Sequence, residues 1–205
     1  YPLGRMISYI VNITDPEIIR TGFQMGIVSQ RRLEQFLAPG EGARNLPYLS
    51  HAPIPDQVLA EDQKAAHIYQ HSGYQNVEIM KNIYRYAYLD SVKPKLHAGW
   101  SLIAPGLHDG ATMLEQLRPE IENNPDNTYV VKPHPRADNR YMRQYNGIGN
   151  VTVSNRPIPE LLGTVARVFV TYSSVGIEAK RLGLEITVID VPGRVNTSPL
   201  LNGIR

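Results

Sequence analysis

The chain has 205 residues, of which 42% are hydrophobic and 20% charged, and its 21 Lys and Arg against 19 Asp and Glu leave a net charge of +2. That is enough chain to bury the core of one large domain, or of one domain and part of a second, and its composition excludes a disordered protein. The near balance of charge gives no footprint for nucleic acid, no apolar run approaches the ~18 residues of a bilayer span, and the lack of cysteine excludes disulfides, thiol catalysis and thiolate-held zinc. The chain opens Tyr1-Pro2-Leu3-Gly4, with no initiator Met and no signal-peptide pattern, and ends in 201–205 just after a Gly/Pro-rich turn, as expected of a piece of something longer.

In the first half, Leu3 to Val11 fits an amphipathic helix, Ile18 to Phe23 a strand and Ser29 to Leu37 a helix. Residues 38–56 are rich in Pro and Gly and read as a loop. Leu59 to His71 fits a helix stopped by Gly73, Val77 to Ile79 a short strand, and Arg85 to Leu89 the tail of an α/β domain, with Ser91 to Lys95 as a connection. The chain therefore divides near residue 95. His67 and His71 stand at helical spacing, but without the Glu and third ligand of a zinc motif, so no metal is expected.

The second half is more regular. Trp100 to Ala104, Tyr129 to Lys132, Val151 to Ser154, Arg167 to Tyr172 and Glu185 to Asp190 are short, β-branched runs. Between them lie helical stretches: one around Met113, Leu114, Leu117 and Ile121, one from Arg136 to Tyr145, one from Pro159 to Val165, and one from Ser174 to Leu182 closed by Gly183. Strands that are apolar on both faces and alternate with helices make a parallel sheet covered on both sides, a doubly wound α/β domain. Such sheets bind ligands at the carboxyl ends of their strands, which makes the turns there the residues to read for function.

Three turns stand out. Lys132-Pro133-His134-Pro135-Arg136 places a restrained imidazole beside two cations, a set suited to holding a phosphate or protonating a leaving oxygen, against the plainer reading of a rigid surface turn. Arg140 and Arg143 either extend that positive field or form a solvated basic face. Thr171-Tyr172-Ser173-Ser174-Val175-Gly176 opens a helix with two serines, so that hydroxyls, helix N–H groups and the helix dipole converge on an anion, whereas capping alone needs a single Ser. Glu178, one turn on, either accepts ribose hydroxyls or stabilises the helix start. In Pro105-Gly106-Leu107-His108-Asp109-Gly110, Gly106 permits close approach of a ligand, and Asp109 either caps the next helix or contacts substrate. Gln24 and Met25, in Thr21-Gly22-Phe23-Gln24-Met25-Gly26, end a strand of the first half and would face a cleft by the same rule. No Gly-x-Gly-x-x-Gly, no P-loop and no Gly-x-Ser-x-Gly elbow occurs.

Lys132-Pro-His-Pro135, followed by Thr171-Tyr-Ser-Ser174-Val-Gly-Ile-Glu178 and Gly183 before an apolar strand, resembles the C-terminal half of GT-B-fold transferases of bacterial surface polysaccharides. It is similar to capsule polysaccharide (Kdo-type) transferases, bacterial polysialyltransferases and CDP-glycerol glycerophosphotransferases. The resemblance implies that 96–205 is a donor-binding domain and 1–95 the remainder of an acceptor-side domain. Lys132, His134, Ser173 and Ser174 would meet the donor phosphate, with Arg136 and Gly106 beside them and Glu178 toward the nucleoside. Gln24, Met25 and Asp109 would border the acceptor. Gly22-Phe-Gln-Met25-Gly26 resembles a Gly-x-Gln-His-Gly turn of that group, with Met25 where a His is expected.

The resulting expectation is a metal-independent transfer of a sugar or polyol phosphate from a nucleotide-activated donor, pyrimidine by resemblance, to a glycan or lipid-linked glycan. His134 would act as the acid, and no cofactor would be needed. The location would be cytoplasmic or at the inner face of the membrane, with peripheral attachment through the rest of the protein. The rivals are a non-catalytic nucleotide- or glycan-binding module of the same fold, which Met25 favours, and a sugar-nucleotide epimerase, which usually needs more carboxylates than these turns carry. Nucleic acid is not an expected partner, because no aromatic platform interleaves with the arginines.

Overall fold

The computed structural model describes residues 10, 14–15, 17–32, 35–38, 54–93, 97–145 and 147–201. The helix expected over 3–11 and the loop expected over 38–56 lie almost wholly outside them. The chain forms two compact units, 1–83 and 84–205.

In the first unit, β1 (Thr21–Phe23), β2 (Gln57–Ala60) and β3 (Val77–Ile79) make a parallel sheet in the order β1-β2-β3, with α1 (Gln63–His71) crossing from β2 to β3. The helix expected from Leu59 starts later. Val58 and Ala60 are buried in alternation with Gln57 and Leu59, the period of a strand, and Asp62 then caps α1 by accepting the Ala65 N–H at 2.8 Å. Of the helix expected over 29–37, part lies outside the described residues; within them the Arg32 N–H bonds the Ser29 carbonyl and the Gln35 N–H the Arg32 carbonyl, the spacing of tight turns.

The second unit begins before the connection expected at 91–95. Tyr84–Ser91 forms a 3-10 helix, and its Tyr86 and Leu89 are buried within this unit, with the Arg181 guanidinium 4.3 Å from the centre of the Tyr86 ring. Five parallel strands follow: β4 (His97–Ala104), β5 (Thr128–Val131), β6 (Val151–Val153), β7 (Val165–Val170) and β8 (Glu185–Val188). They are connected through α2 (Gly110–Asn123), a 3-10 helix (Arg140–Tyr145), α3 (Ile158–Leu162) and α4 (Val175–Arg181). The helix expected from Arg136 is only this short 3-10 turn. Asp138 bonds the Arg140 N–H at 3.0 Å and so turns the backbone ahead of it. β4 starts earlier than expected, with a register break between His97 and Ser101 around Gly99, which has φ 82°.

The strand order is β6-β5-β4-β7-β8. The first strand lies in the middle, the chain winds outward to one edge, then returns across the sheet to the other. Ile103, Tyr129, Val131 and Phe169 pack with Met113, Leu114, Leu117 and Ile121 of α2 on one face. By alternation Leu102, Val130, Val168 and Val170 face the other way, and they are equally buried. Burial on both faces is the doubly wound α/β architecture expected from the apolar strands. Leu102, on the central strand with no solvent exposure, sets the expected magnitude of core damage: Leu102→Ala should cost about 2–5 kcal/mol in urea unfolding. A loss below about 1 kcal/mol would contradict this packing.

Candidate functional site

The reversal of winding puts the carboxyl ends of β4 and β7 side by side, where a doubly wound sheet opens its crevice. The turn after β4 carries Gly106, His108 and Asp109; the turn after β7 carries Thr171, Tyr172, Ser173 and Ser174. Gly106 has no room for a side chain, since a Cβ there would lie 2.7 Å from Tyr172 Cζ and 3.1 Å from Asp109 Oδ2. Gly110, the first residue of α2, is equally closed, by the Tyr141 phenol. These glycines let two tyrosines close over the turn.

Asp109 is 1% exposed, and neither of its carboxylate oxygens has a hydrogen-bond partner. It occupies the N-cap position of α2 without making a side-chain cap, so capping does not account for it. Thr171, also 1% exposed, has an unpartnered hydroxyl, as does Tyr141. The phenols of Tyr141 and Tyr172 are pushed up first by burial and then by the Asp109 charge. A cavity of about 220 Å³ is lined by Asp109, Thr171, Tyr172, Arg194 and Asn196 among others. A second, of about 580 Å³, lies along His108, Gly110, Arg140 and Tyr141.

His134, at the end of β5, belongs to the same neighbourhood. Its Nδ1 accepts the Arg136 N–H at 3.2 Å, which places the proton of the neutral ring on Nε2 as a free donor. Its pKa is lowered by partial burial first, then by Arg136 and His108, while Asp109 opposes the shift. Lys132 is half-buried at the end of the same strand, its N–H on the Ile103 carbonyl at 2.9 Å. Arg136 is exposed. Arg140 is exposed and neutralised by Asp138, whose carboxyl it holds below the usual range, so it adds no free positive field.

At the start of α4 the two serines divide their work. Ser173 Oγ accepts the Val175 N–H at 3.3 Å, whereas Ser174 Oγ donates to Glu178 at 3.4 Å. The N–H groups of Gly176 and Ile177 bond back to the Ser173 and Ser174 carbonyls. An anion here would therefore meet hydroxyls and the helix dipole rather than free N–H groups of 175–177. Glu178 is buried, and burial first and then the Glu178 carboxylate push the Tyr88 phenol up.

In the first unit, Gln24 is buried at the end of β1. Its amide oxygen accepts the Glu61 N–H at 2.9 Å, and its amide nitrogen donates to Gly26 O and Glu61 Oε2 at 3.0 and 3.4 Å. The side chain thus staples the ends of β1 and β2. Met25 is 76% exposed. The structure brings His134, His108, Asp109, Gly106 and Tyr172 together, with Gln24 and Met25 in the other unit. Thr171 and Tyr172 stood in a motif singled out by sequence, while Tyr141 and Glu61 carried no sequence signal because only the fold brings them to these turns.

No family model matches the chain, and no curated protein matches it. Solved structures do. UDP-GlcNAc 2-epimerase from Neisseria meningitidis, bound to UDP-GlcNAc, is 12% identical over 90% of this chain and 56% of its own, with a TM-score of 0.59. UDP-GlcNAc 2-epimerase from Methanocaldococcus jannaschii, in complex with UDP-GlcNAc and UDP, is 15% identical over 87% of this chain and 55% of its own, with a TM-score of 0.52. A weaker likeness, to the wall teichoic acid polymerase TagF, has a TM-score of 0.41. The chain thus spans little more than half the length of the first two. What they share with it is the fold, a Rossmann-like α/β architecture.

Two measurements check this geometry. Gly106→Ala should destabilise by about 1–3 kcal/mol, because its Cβ meets the Tyr172 ring and the turn must shift; an unchanged urea midpoint would show that the two residues do not meet. The folded protein holds a proton on His134 less readily than the unfolded chain does. Stability should therefore fall as pH drops from about 6.5 through the lower folded value, and His134→Asn should flatten that limb of the profile. An identical acid limb in the variant would refute the assignment.

Proposed function

We propose that residues 96–205 are the nucleotide-donor domain of a glycosyltransferase-like enzyme, which moves a sugar or polyol phosphate from a nucleotide-activated donor to a glycan acceptor. The observation that carries this reading is the grouping, at the switch point of a doubly wound sheet, of a neutral His134 offering its Nε2–H with the crowded Asp109 and Tyr172. Two solved structures of like fold hold UDP-GlcNAc, which supports the donor class.

In this reading the donor phosphate lies toward Lys132, His134, Arg136 and the Ser173 and Ser174 hydroxyls. Charge that develops on the departing phosphate is met by His134, which donates a hydrogen bond or its proton, and by the Lys132 ammonium. Anion binding offsets the desolvation that lowers the His134 pKa, so the ring should gain basicity when donor binds and become a competent acid near neutrality. Glu178, already holding Ser174, sets the orientation of one phosphate-facing hydroxyl and keeps carboxylate capacity for a nucleoside hydroxyl. The acceptor would be a glycan or lipid-linked glycan, and the setting cytoplasmic. Among the described residues no helix is long and apolar enough to cross a membrane.

A thermal-shift panel of UDP, CDP, CMP and GDP tests the reading. One nucleotide at about 100 times its Kd should add roughly 2.7 kcal/mol of stability, and His134→Ala should remove most of that gain. In the full-length protein the same substitution should lower turnover about 100-fold. A folded protein that shifts with no nucleotide would refute the proposal.

A further inference from the structure

Resting on that reading, the structure assigns Asp109 and Thr171 to a hydroxyl-binding subsite for the group that the nucleotide carries, a sugar ring or short polyol. Two polar side chains, each 1% exposed, line one cavity of about 220 Å³ and have no hydrogen-bond partner. A buried carboxylate with both oxygens unsatisfied is costly, and native structures keep such groups where a ligand completes them. The ordinary structural use of an Asp at this position is missing: it opens α2 without capping it, and the helix is held there by the Asp109 carbonyl, which accepts the Met113 N–H at 2.8 Å.

The chemistry of the unsatisfied atoms selects the ligand. An ionised carboxylate only accepts, so it calls for donors, and two neighbouring hydroxyls of a sugar supply one to each oxygen. Thr171 can donate to or accept from a third. At about 220 Å³ the cavity has room for a group of the size of a sugar ring or a short polyol. The negative charge of Asp109 also repels a diphosphate, which is left to the serine and His134 turns. A cation held by Asp109 would need further ligands, and among the described residues no group of three His, Asp or Glu stands close enough to supply them. The cavity's remaining polar lining is Tyr172, Thr197, the exposed Arg194 and Asn196, whose amide already holds the Ile189 carbonyl and the Ser198 N–H.

The test compares bare with loaded nucleotides: UDP against UDP-glucose and UDP-GlcNAc, and CDP against CDP-glycerol, by calorimetry on the wild type, Asp109→Asn and Thr171→Val. At least one loaded form should bind the wild type more tightly than its bare nucleotide. Asp109→Asn should cut that advantage about 10- to 100-fold and Thr171→Val by less, with bare-nucleotide affinity not weakened in either variant. The ligand-free melting temperature should rise by roughly 2–4 °C in Asp109→Asn and Asp109→Leu, because an unpartnered buried charge is gone. Equal binding of loaded and bare nucleotides, equal weakening of both by Asp109→Asn, or a lower melting temperature in both Asp109 variants would overturn the assignment. If no nucleotide binds at all, the donor reading falls by itself. The subsite is then decided by glycerol and methyl glucoside: a stabilisation that Asp109→Asn abolishes upholds it, and no stabilisation overturns it.

Discussion

Everything at the site follows from burying β4 on both faces between β5 and β7. Leu102 and Ile103 point to opposite sides of the sheet and neither is exposed to solvent. A strand so placed cannot be an edge, so the chain must wind away to β6 and return to reach β7. That return leaves two turns at adjacent strand ends with no helix between them. The close contact of Gly106 with Tyr172, the burial of Asp109 and the approach of His134 from the end of β5 all depend on this arrangement.

The electrostatics of the turns are unusual in being unfinished. Several charges elsewhere in the second unit are matched: Arg167 reaches Glu120 and Glu185 at 3.2 and 3.1 Å, Arg156 pairs with Glu160, and Arg140 with Asp138. Those pairs are partly or fully exposed and contribute little each. Asp109 is deeply buried and unmatched, and its field reaches His134, Tyr141 and Tyr172. The first unit shows the contrary solution to the same problem. Its buried carboxylate, Glu61, is met at the end of β2 by the Gln24 amide, which links two strand ends. A closed polar contact there and an open one at the end of β4 separate a structural role from a binding one.

Several features were legible in the residues. Short β-branched runs between helical stretches predicted the five strands of the second unit within a few residues, and Gly183 ends α4 as expected, with φ 73°. Misreadings came where a local pattern was ambiguous. Val58-Leu59-Ala60 fits either period until strand pairing with β1 and β3 decides it. Tyr84–Ser91 looked like the end of one domain, yet the burial of Tyr86 and Leu89 ties it to the next. The two serines before α4 pointed to free N–H groups, but the backbone closes on itself there.

The sequence by itself determined which turns matter, because apolar strands followed by Gly, Ser, His and Lys mark the carboxyl edge of a parallel sheet whatever the order of its strands. Only the tertiary structure decided which of those turns meet, since strand order is set by long-range pairing that no local pattern encodes. It also decided that Asp109 lacks the partner a helix cap would have, that Gln24 is a staple, and that Tyr141 closes against Gly110. Whether a polar atom is satisfied depends on neighbours distant in sequence, and that is the property on which function at this site turns.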